Sequence, residues 1–144
     1  MGIVNNLSGE KLSIKIILDS NFLLIQPQFH IDILEELENV LNQRVTGIIL
    51  SPVYKELQTI SRGNNVNERK KALFVLKYIE GFDIVDVIKR QNETVDDLII
   101  RLAKEWNYPV ATNDKKLRKR LRDVSIAVVY LRQKSHLEVQ GVIG

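Results

Sequence analysis

The sequence predicts an α/β protein, a three-layer α/β/α sandwich with a central, mainly parallel sheet. Short apolar runs of strand length alternate along the chain with longer stretches in which apolar residues recur at helical spacing. The strand-like runs show little alternation of apolar and polar residues, which is typical of strands covered on both faces. A length of 144 residues without a linker indicates a single domain, with a core over about 11–131 and no element assigned to the tail 132–144.

The first elements are predicted between residues 12 and 41. A β-branched run at 12–18 predicts a strand that stops at Asp19, and a helical turn is expected at 22–25. An amphipathic helix follows, because acidic residues separate apolar residues that recur at helical spacing. Those apolar residues are Ile31, Leu34, Leu37, Val40 and Leu41.

The run 46–50 predicts a second strand, and a helix starts directly after it. Ser51 as the N-cap with Pro52 in the first helical position favours a helix that ends near Ser61. Another helix is predicted over 66–80, where Gly81 ends it. The apolar face expected for this helix consists of Ala72, Leu73, Leu76 and Ile79.

Strands and helices also alternate in the second half of the chain. The strands are predicted at 82–88, 108–112 and 125–131. A helix from Thr94 to Trp106 separates the first two strands. Another helix, capped by Asn113 or Asp114, ends at Arg122 and separates the last two strands.

Composition and motifs exclude several kinds of site. The chain has no cysteine, which excludes disulfide scaffolds, Cys-containing zinc sites, iron–sulfur clusters and thiol nucleophiles. With only His30 and His136, and no HExxH motif, a histidine-rich metal site is excluded as well. There is no GxGxxG, Walker A or GxSxG motif, so dinucleotide binding, P-loop hydrolysis and serine-hydrolase chemistry lack support.

Neither a membrane span nor an export signal is indicated. No apolar stretch approaches the roughly 18–20 residues that a membrane span needs. Residues 1–11 are polar and mixed, without the basic segment and apolar segment of a signal peptide. We therefore expect a cytoplasmic protein that makes no membrane contact.

Positive charge is concentrated in the second half of the chain. Residues 1–72 carry 8 basic and 8 acidic side chains, whereas residues 73–144 carry 13 and 10, which accounts for the net charge of +3. Six of the cations stand within eight residues that contain no acid: Lys115, Lys116, Arg118, Lys119, Arg120 and Arg122. Arg132 and Lys134 would extend this run. Such a run is either a solvated helix face or a clamp for a nucleic-acid backbone.

Four acidic residues fall at equivalent places in the predicted topology. Asp19 and Asp114 each directly follow a strand, while Glu56 and Asp96 lie near the starts of helices that follow strands. In a parallel sheet these places share one edge, so we expect four carboxylates to point at one place. Taken singly, Asp19 and Asp114 would be helix N-caps. Glu56 would be a solvated side chain, and Asp96 would interact favourably with its helix dipole.

A cluster of carboxylates indicates a site for hard cations. Like charges at one sheet edge raise one another's pKa values unless cations are present. Oxygen ligands suit Mg²⁺ or Mn²⁺ rather than zinc, and one or two such ions would fit. A bound ion would lower the pKa of a water molecule and polarise a phosphate oxygen. The chemistry implied is metal-assisted hydrolysis of a phosphodiester bond.

Four segments, in this order and spacing, resemble the signature of the PIN-domain nucleases. They are 17–23 (ILDSNFL), 53–57 (VYKEL), 96–103 (DDLIIRLA) and 110–117 (VATNDKKL). The resemblance covers about 11–131, nearly the whole chain. It implies a compact α/β/α sandwich and a metal-dependent endoribonuclease that leaves 5′-phosphate and 3′-hydroxyl ends.

The resemblance also implies roles for individual residues. The family's catalytic and metal-ligating acids fall on Asp19, Glu56, Asp96 and Asp114. Ser20 and Asn113 stand where the family places supporting polar groups, and Asp97 takes a helix-capping role. The residues expected to hold RNA are Lys115, Lys116, Arg118, Lys119 and Arg122. Many relatives carry a further acid at the position of Lys116, so a firmly held second metal is not implied.

Within the family, the segments 115–122 and 128–134 are most similar to archaeal relatives of the PIN nucleases that process small-subunit ribosomal RNA. Toxins of the VapC type share the four acids, so the alternative is a toxin ribonuclease held inactive by an antitoxin protein. A further alternative is a PIN module that binds RNA without cleaving it. Relatives often pair, so a homodimer is also expected.

Overall fold

The computed structural model describes residues 13–143. The other positions, among them Leu12 of the predicted first strand and the segment 1–11, lie outside the described residues. The strands are β1 Ile14–Leu18, β2 Val45–Leu50, β3 Asp83–Val85, β4 Val110–Ala111, β5 Val128–Arg132 and β6 His136–Gln140. The α-helices are α1 Ser20–Leu23, α2 Ile25–Phe29, α3 Ile33–Leu41, α4 Ser51–Ser61, α5 Val66–Tyr78, α6 Val95–Trp106 and α7 Lys115–Asp123, and a short 3₁₀ helix spans Ile79–Gly81.

The strands of the described residues form one sheet in the order β3-β2-β1-β4-β5-β6. Neighbouring strands are parallel, except that β5 and β6 pair antiparallel. Ile17 of the central strand β1 is in register with Ile48 of β2 on one side and Val110 of β4 on the other. The predicted α/β/α sandwich with a mainly parallel sheet is confirmed.

The core is aliphatic and lies on both faces of the sheet. Ile16, Ile17 and Leu18 are all 0% exposed. Because successive side chains of a strand point to opposite faces, their burial means that β1 is covered from both sides. Among residues 13–143 only two polar side chains are buried, those of Asp19 and Thr112. Both follow the carboxyl ends of central strands, so the two buried polar side chains lie at that edge of the sheet.

The start of α4 differs from the prediction. Leu50 is the N-cap and makes no side-chain capping bond, while Ser51 is already in the first helical position. The Ser51 hydroxyl instead donates to the Val87 carbonyl oxygen (3.2 Å) and accepts from the Val87 amide (3.0 Å). The prediction of Ser51 as the N-cap was wrong, because its hydroxyl is hydrogen-bonded to Val87, a residue distant in sequence, and not to the start of α4.

The buried face of α5 also differs from the prediction. Leu73, expected to face the core, is 52% exposed, whereas Val75 is fully buried. The row that packs inward is Ala72, Val75 and Ile79, at spacings of three and four residues. A small rotation of α5 about its axis is enough to turn Leu73 toward solvent and Val75 toward the core.

The tail beyond β5 contains a strand that the sequence did not reveal. β6 pairs with β5 through a turn closed by the Ser135 amide and the Arg132 carbonyl oxygen (3.2 Å). Gln133 and Lys134 both have positive φ, 54° and 59°, as a type I′ turn requires. Since that turn favours Asn-Gly, the Gln-Lys pair gave no hairpin signal.

The predicted strands at 82–88 and 108–112 are longer than β3 and β4. β3 is an edge strand with β2 as its one neighbour, and its Ile84 is 44% exposed. No helix within residues 13–143 has the length and apolar content to cross a membrane.

Candidate active site at the carboxyl edge of the sheet

Asp19 lies at the centre of the carboxyl edge, where β1 passes into α1. Its amide donates to the Ala111 carbonyl oxygen of β4 (3.0 Å), which fixes the backbone in the sheet. Its Oδ1 accepts from the Ser20 amide (2.8 Å), and its Oδ2 accepts from the Thr112 hydroxyl (2.8 Å). The side chain is 5% exposed. Asp19 therefore caps α1, which is the role expected for it when it is taken singly. Its hydrogen bonds also hold it in place at the sheet edge.

Burial raises the pKa of Asp19 to about 6. Hydrogen bonds from Thr112 and Ser20 oppose that increase, because both stabilise the ionised form. The negative charges of Asp96 and Glu56 add to the increase in the pKa. The carboxylate of Asp19 is thus buried among like charges, an arrangement that a cation would stabilise.

Thr112 is a site residue that sequence reasoning missed. Its side chain is 0% exposed, and its hydroxyl donates to Asp19, with Asn21 Oδ1 as a second acceptor at 3.3 Å. The same hydroxyl accepts from the Asp114 amide (3.1 Å). Asn21 Oδ1 in turn accepts from the Asn113 amide (3.1 Å). Thr112 and Asn21 thereby join the chain after β1 to the chain after β4.

We expect Thr112→Val to destabilise the fold by about 1–3 kcal/mol, because it leaves a buried carboxylate oxygen without its donor. The pKa of Asp19 should also rise further, since the lost hydrogen bond lowers it in the native protein. Urea denaturation and an NMR titration of the Asp19 carboxyl carbon measure the two effects. Thr59→Val, at an exposed position of α4, is the matched control. Equal stability of the two variants, with no change in the pKa, would contradict this role of Thr112.

Glu56 reaches the same edge from α4. The Ser20 hydroxyl donates to Glu56 Oε1 (2.9 Å), so the predicted supporting residue connects this acid to the chain after β1. Glu56 is exposed, and its charge is felt by both Asp19 and Asp96. The Glu56 side chain therefore lies at the edge of the site, although it is exposed to solvent.

Asp96 stands in the first turn of α6 and faces the other acids. Partial burial raises its pKa, and the charges of Asp114 and Glu56 raise it further, while Arg120 opposes them. Within residues 13–143, the Asp96 carboxylate accepts no hydrogen bond. Its oxygens are thus available to an incoming ligand.

Asp114 is the N-cap of α7. Its Oδ1 accepts from the Lys116 amide (2.8 Å) and the Leu117 amide (3.1 Å). Its Oδ2 accepts no hydrogen bond from the described residues. The capping role and a role in the site are therefore compatible, because each uses a different oxygen.

Asp97 and Asn113 form hydrogen bonds with backbone groups near the cluster, and the negative charge of Asp97 also adds to the increase in the pKa of Asp96. Asp97 forms a reciprocal capping box with Thr94, and its Oδ1 pairs with the Arg120 guanidinium (2.8 Å), which lowers the pKa of Asp97. Asn113 Oδ1 accepts from the Leu131 amide (2.9 Å) and so ties the chain after β4 to β5. Both residues stabilise the elements that carry the acids.

The donor chemistry of the edge fits a hard divalent cation. Within residues 13–143 no three acidic or histidine side chains are assembled closely enough to be a ready-made metal site. Two observations support the fit nonetheless. Neighbouring negative charges add to the increase in the pKa values of Asp19 and Asp96 that burial causes, and Asp96 and Asp114 keep carboxylate oxygens that accept no hydrogen bond from described residues. Carboxylate oxygens are the ligands that Mg²⁺ and Mn²⁺ prefer.

The six cations of α7 separate into groups with different surroundings. Lys115 and Lys116 are exposed beside Asp114. Arg118 stacks on the ring of Tyr130, 4.0 Å from its centroid. The remaining partners are Asp123 for Lys119 (3.5 Å), Asp97 for Arg120 (2.8 Å) and the Ile126 carbonyl oxygen for Arg122 (3.1 Å). Arg120 is therefore paired with an acid of α6.

Comparison with known proteins identifies similar sequences. A family described as "PIN like domain" matches residues 16–134. Ribonuclease VapC4 of Methanocaldococcus jannaschii is 33% identical over 132 residues, which cover 90% of this chain and 98% of the relative. Ribonuclease VapC9 of Archaeoglobus fulgidus is 27% identical over 93 residues, which cover 65% of this chain and 66% of the relative.

Comparison with solved structures identifies similar folds. The structure of the PIN domain endonuclease Utp24 superposes with a TM-score of 0.74 and 25% identity, covering 90% of this chain and 92% of that chain. A domain of a functionally unknown protein from Methanocaldococcus jannaschii superposes with a TM-score of 0.54, covering 92% of this chain and all of that domain. Its identity of 18% shows likeness of fold alone.

Proposed function

The chain belongs to the PIN-like domain family, and from that membership we propose that it is a divalent-metal-dependent endoribonuclease. The reaction is hydrolysis of a phosphodiester bond within RNA. The oxygen of a water molecule attacks phosphorus, the bond from phosphorus to the 3′ oxygen breaks, and that oxygen takes up a proton. The products carry a 5′-phosphate and a 3′-hydroxyl.

The observation that carries this proposal is the buried carboxylate of Asp19, whose pKa is raised to about 6 at an edge shared with other acids. An acid whose ionised form is destabilised by burial, and further by like charges, is costly to the fold, so its presence favours a functional role. The relatives named ribonuclease and endonuclease support the same chemistry.

Asp19, Asp96 and Asp114 are the residues proposed to hold the cation, directly or through water. When bound, Mg²⁺ or Mn²⁺ would polarise a phosphate oxygen of the RNA and lower the pKa of a water molecule. Thr112 and Ser20 hold the Asp19 carboxylate in one orientation. Glu56, positioned by the Ser20 hydroxyl, orients the attacking water and accepts its proton.

The cations proposed to hold RNA all lie on α7. They are Lys115, Lys116, Arg118, Lys119 and Arg122. Contacts of this kind go to phosphate oxygens, so they position a strand without reading its sequence. Arg132 is paired with Glu138 (3.2 Å) in the β5–β6 hairpin, and Lys134 is exposed in its turn.

The test is cleavage of a labelled RNA, and of DNA of the same sequence, with Mn²⁺, Mg²⁺ or EDTA. We expect cleavage of RNA with metal, products with 5′-phosphate ends, and loss of cleavage in EDTA. Cleavage in EDTA would contradict the metal dependence. Binding of RNA without cleavage under every condition would instead assign the chain to the PIN modules that bind RNA only.

We place this activity in the processing of small-subunit ribosomal RNA, on the resemblance of 115–122 and 128–134 described above. Cleavage at one defined position of a ribosomal RNA transcript supports this role. The similarity to ribonuclease VapC4 favours a second candidate, a toxin held by an antitoxin protein. Arrest of growth on expression, relieved by a co-expressed antitoxin, distinguishes that role.

A further inference from the structure

The β3–α6 loop, residues 86–94, borders the acids on the side of β3. It starts where β3 ends at the carboxyl edge of the sheet and runs to the start of α6. Ser51, which is hydrogen-bonded to the first part of the loop, stands five residues before Glu56 on α4. Glu93, near the other end of the loop, stands three residues before Asp96. The loop and α7 therefore flank the acids from opposite sides, since α7 follows β4.

Hydrogen bonds hold the backbone of the β3–α6 loop in place. Arg101 Nη2 donates to the Ile88 carbonyl oxygen (3.2 Å) and also to Glu93 Oε1 (2.9 Å), while Arg101 Nε donates to Glu93 Oε2 (2.8 Å). The Arg90 amide donates to Glu93 Oε1 (2.8 Å), and the Glu93 amide donates to the Arg90 carbonyl oxygen (3.0 Å). A loop braced in this way presents its side chains in fixed places, which lowers the entropy lost when a partner binds.

Three successive side chains of this braced loop are exposed. Ile88 is 86% exposed, and Lys89 and Arg90 are exposed beside it. Within residues 13–143, neither cation forms an ion pair or a side-chain hydrogen bond. Asp86, the exposed acid of the loop, precedes them next to β3. An apolar side chain next to two cations suits a nucleic-acid strand, because its bases have apolar faces and its phosphates are anionic.

A polyanion that crosses the four acids is held best by cations on both sides of them. The acids repel phosphate groups through their negative charge. The cations of α7 lie on the side of β4, whereas Lys89 and Arg90 lie on the side of β3. β3 and β4 are three strand positions apart in the sheet, about 14 Å at about 4.8 Å for each position. About four nucleotides, at about 3.4 Å each, would span that distance.

We propose that the β3–α6 loop binds the RNA strand on the side of the cleaved bond opposite to α7, with phosphates at Lys89 and Arg90 and a nucleobase against Ile88. The strand then crosses the carboxyl edge over the ends of β2 and β1, which lead into the helices that carry Glu56 and follow Asp19. The two phosphate contacts fix the position of the strand, and the contact with Ile88 adds an uncharged one. The proposal rests on the proposed nuclease function, which makes RNA the substrate.

The first test compares binding of a fluorescent 12-nucleotide RNA by the native chain and by the double variant Lys89→Gln/Arg90→Gln. Both side chains are exposed, and the hydrogen bonds of the loop use backbone groups at Arg90, so the fold should be retained. The control is Lys70→Gln/Lys104→Gln, which removes the same charge from exposed positions on α5 and α6. Anisotropy is measured in EDTA, over a range of salt concentrations, so that no RNA is cut.

We expect the loop variant to bind about tenfold more weakly at low salt, and the control to bind as the native chain does. The slope of log affinity against log salt should fall by about 1.4, from two contacts at about 0.7 each for a single strand. Equal losses in both variants would overturn the proposal. Native affinity in the loop variant would also overturn it, and would leave the loop as a surface for a protein partner.

The second test is Ile88→Ser, which removes the apolar contact and keeps both cations. We expect binding about threefold weaker with an unchanged salt slope, because a contact with a base releases no counterions. The matched control is Val142→Ser, since Val142 is 89% exposed and follows β6, away from the loop. Native affinity in Ile88→Ser, or an equal loss in the control, would overturn the base contact.

The two proposals fail in different ways. A native chain that binds RNA through the loop but never cleaves it with Mn²⁺ contradicts the nuclease and leaves the RNA contact of the loop standing. A chain that cleaves RNA, while the loop variant binds like the native protein, contradicts the loop contact alone.

Discussion

Asp19→Asn should reduce RNA cleavage on the order of a thousandfold or more while the protein stays folded. Asparagine keeps an oxygen that accepts from the Ser20 amide, so the cap of α1 is retained. It loses the negative charge that the proposed ion requires at the centre of the sheet edge. The rate is measured by single-turnover cleavage with Mn²⁺, and folding by circular dichroism.

The matched control for this substitution is Asp83→Asn. Asp83 is an exposed acid at the start of β3, the end of that strand away from the carboxyl edge. Its variant should cleave RNA at the native rate. Native activity in Asp19→Asn would show that the acids at this edge do not carry the reaction.

The second large effect is the pH dependence of stability in EDTA. The pKa of Asp19 is about 6 in the folded protein against 3.8 as its reference value, so the folded state binds the proton more tightly. Stability from this group is therefore present below about pH 4 and is lost as the pH rises through about 6. The difference corresponds to about 3 kcal/mol, at about 1.4 kcal/mol for each pH unit of separation.

Other groups titrate in the same range, so the comparison must isolate Asp19. The Arg101 guanidinium lowers the pKa of Glu93 to about 2, which gives the opposite sign at acidic pH. We expect the unfolding free energy of Asp19→Asn to rise relative to that of the native chain by about 3 kcal/mol between pH 4 and pH 7. Urea denaturation in EDTA measures it. Parallel stability curves for the two proteins would contradict the raised pKa.

Strand ends explain why the fold, and the places of Asp19 and Asp114 after β1 and β4, could be predicted. β1 is a continuous apolar run that ends in Asp19, and parallel strands must end at a common edge. The capping box of Thr94 and Asp97 is likewise local in sequence, and the structure contains it. Such features depend on neighbouring residues, which a sequence displays directly.

Contacts between distant residues explain what could not be predicted. Thr112 and Asp19 are 93 positions apart, and a threonine at the end of an apolar run gives no sign of its hydrogen-bond partner. The commitment of Arg120 to Asp97 is equally invisible within a run of cations. Exposure of Leu73 depends on the rotation of α5 in its packing, which helical spacing leaves undetermined.

The central claim is that acids gathered at the carboxyl edge bind a divalent ion. Anomalous diffraction from a crystal soaked in Mn²⁺ tests it most directly. We predict an anomalous peak for manganese within bonding distance of carboxylate oxygens of Asp19 and of Asp96 or Asp114. A crystal saturated with Mn²⁺ that shows no peak at this edge would contradict the account.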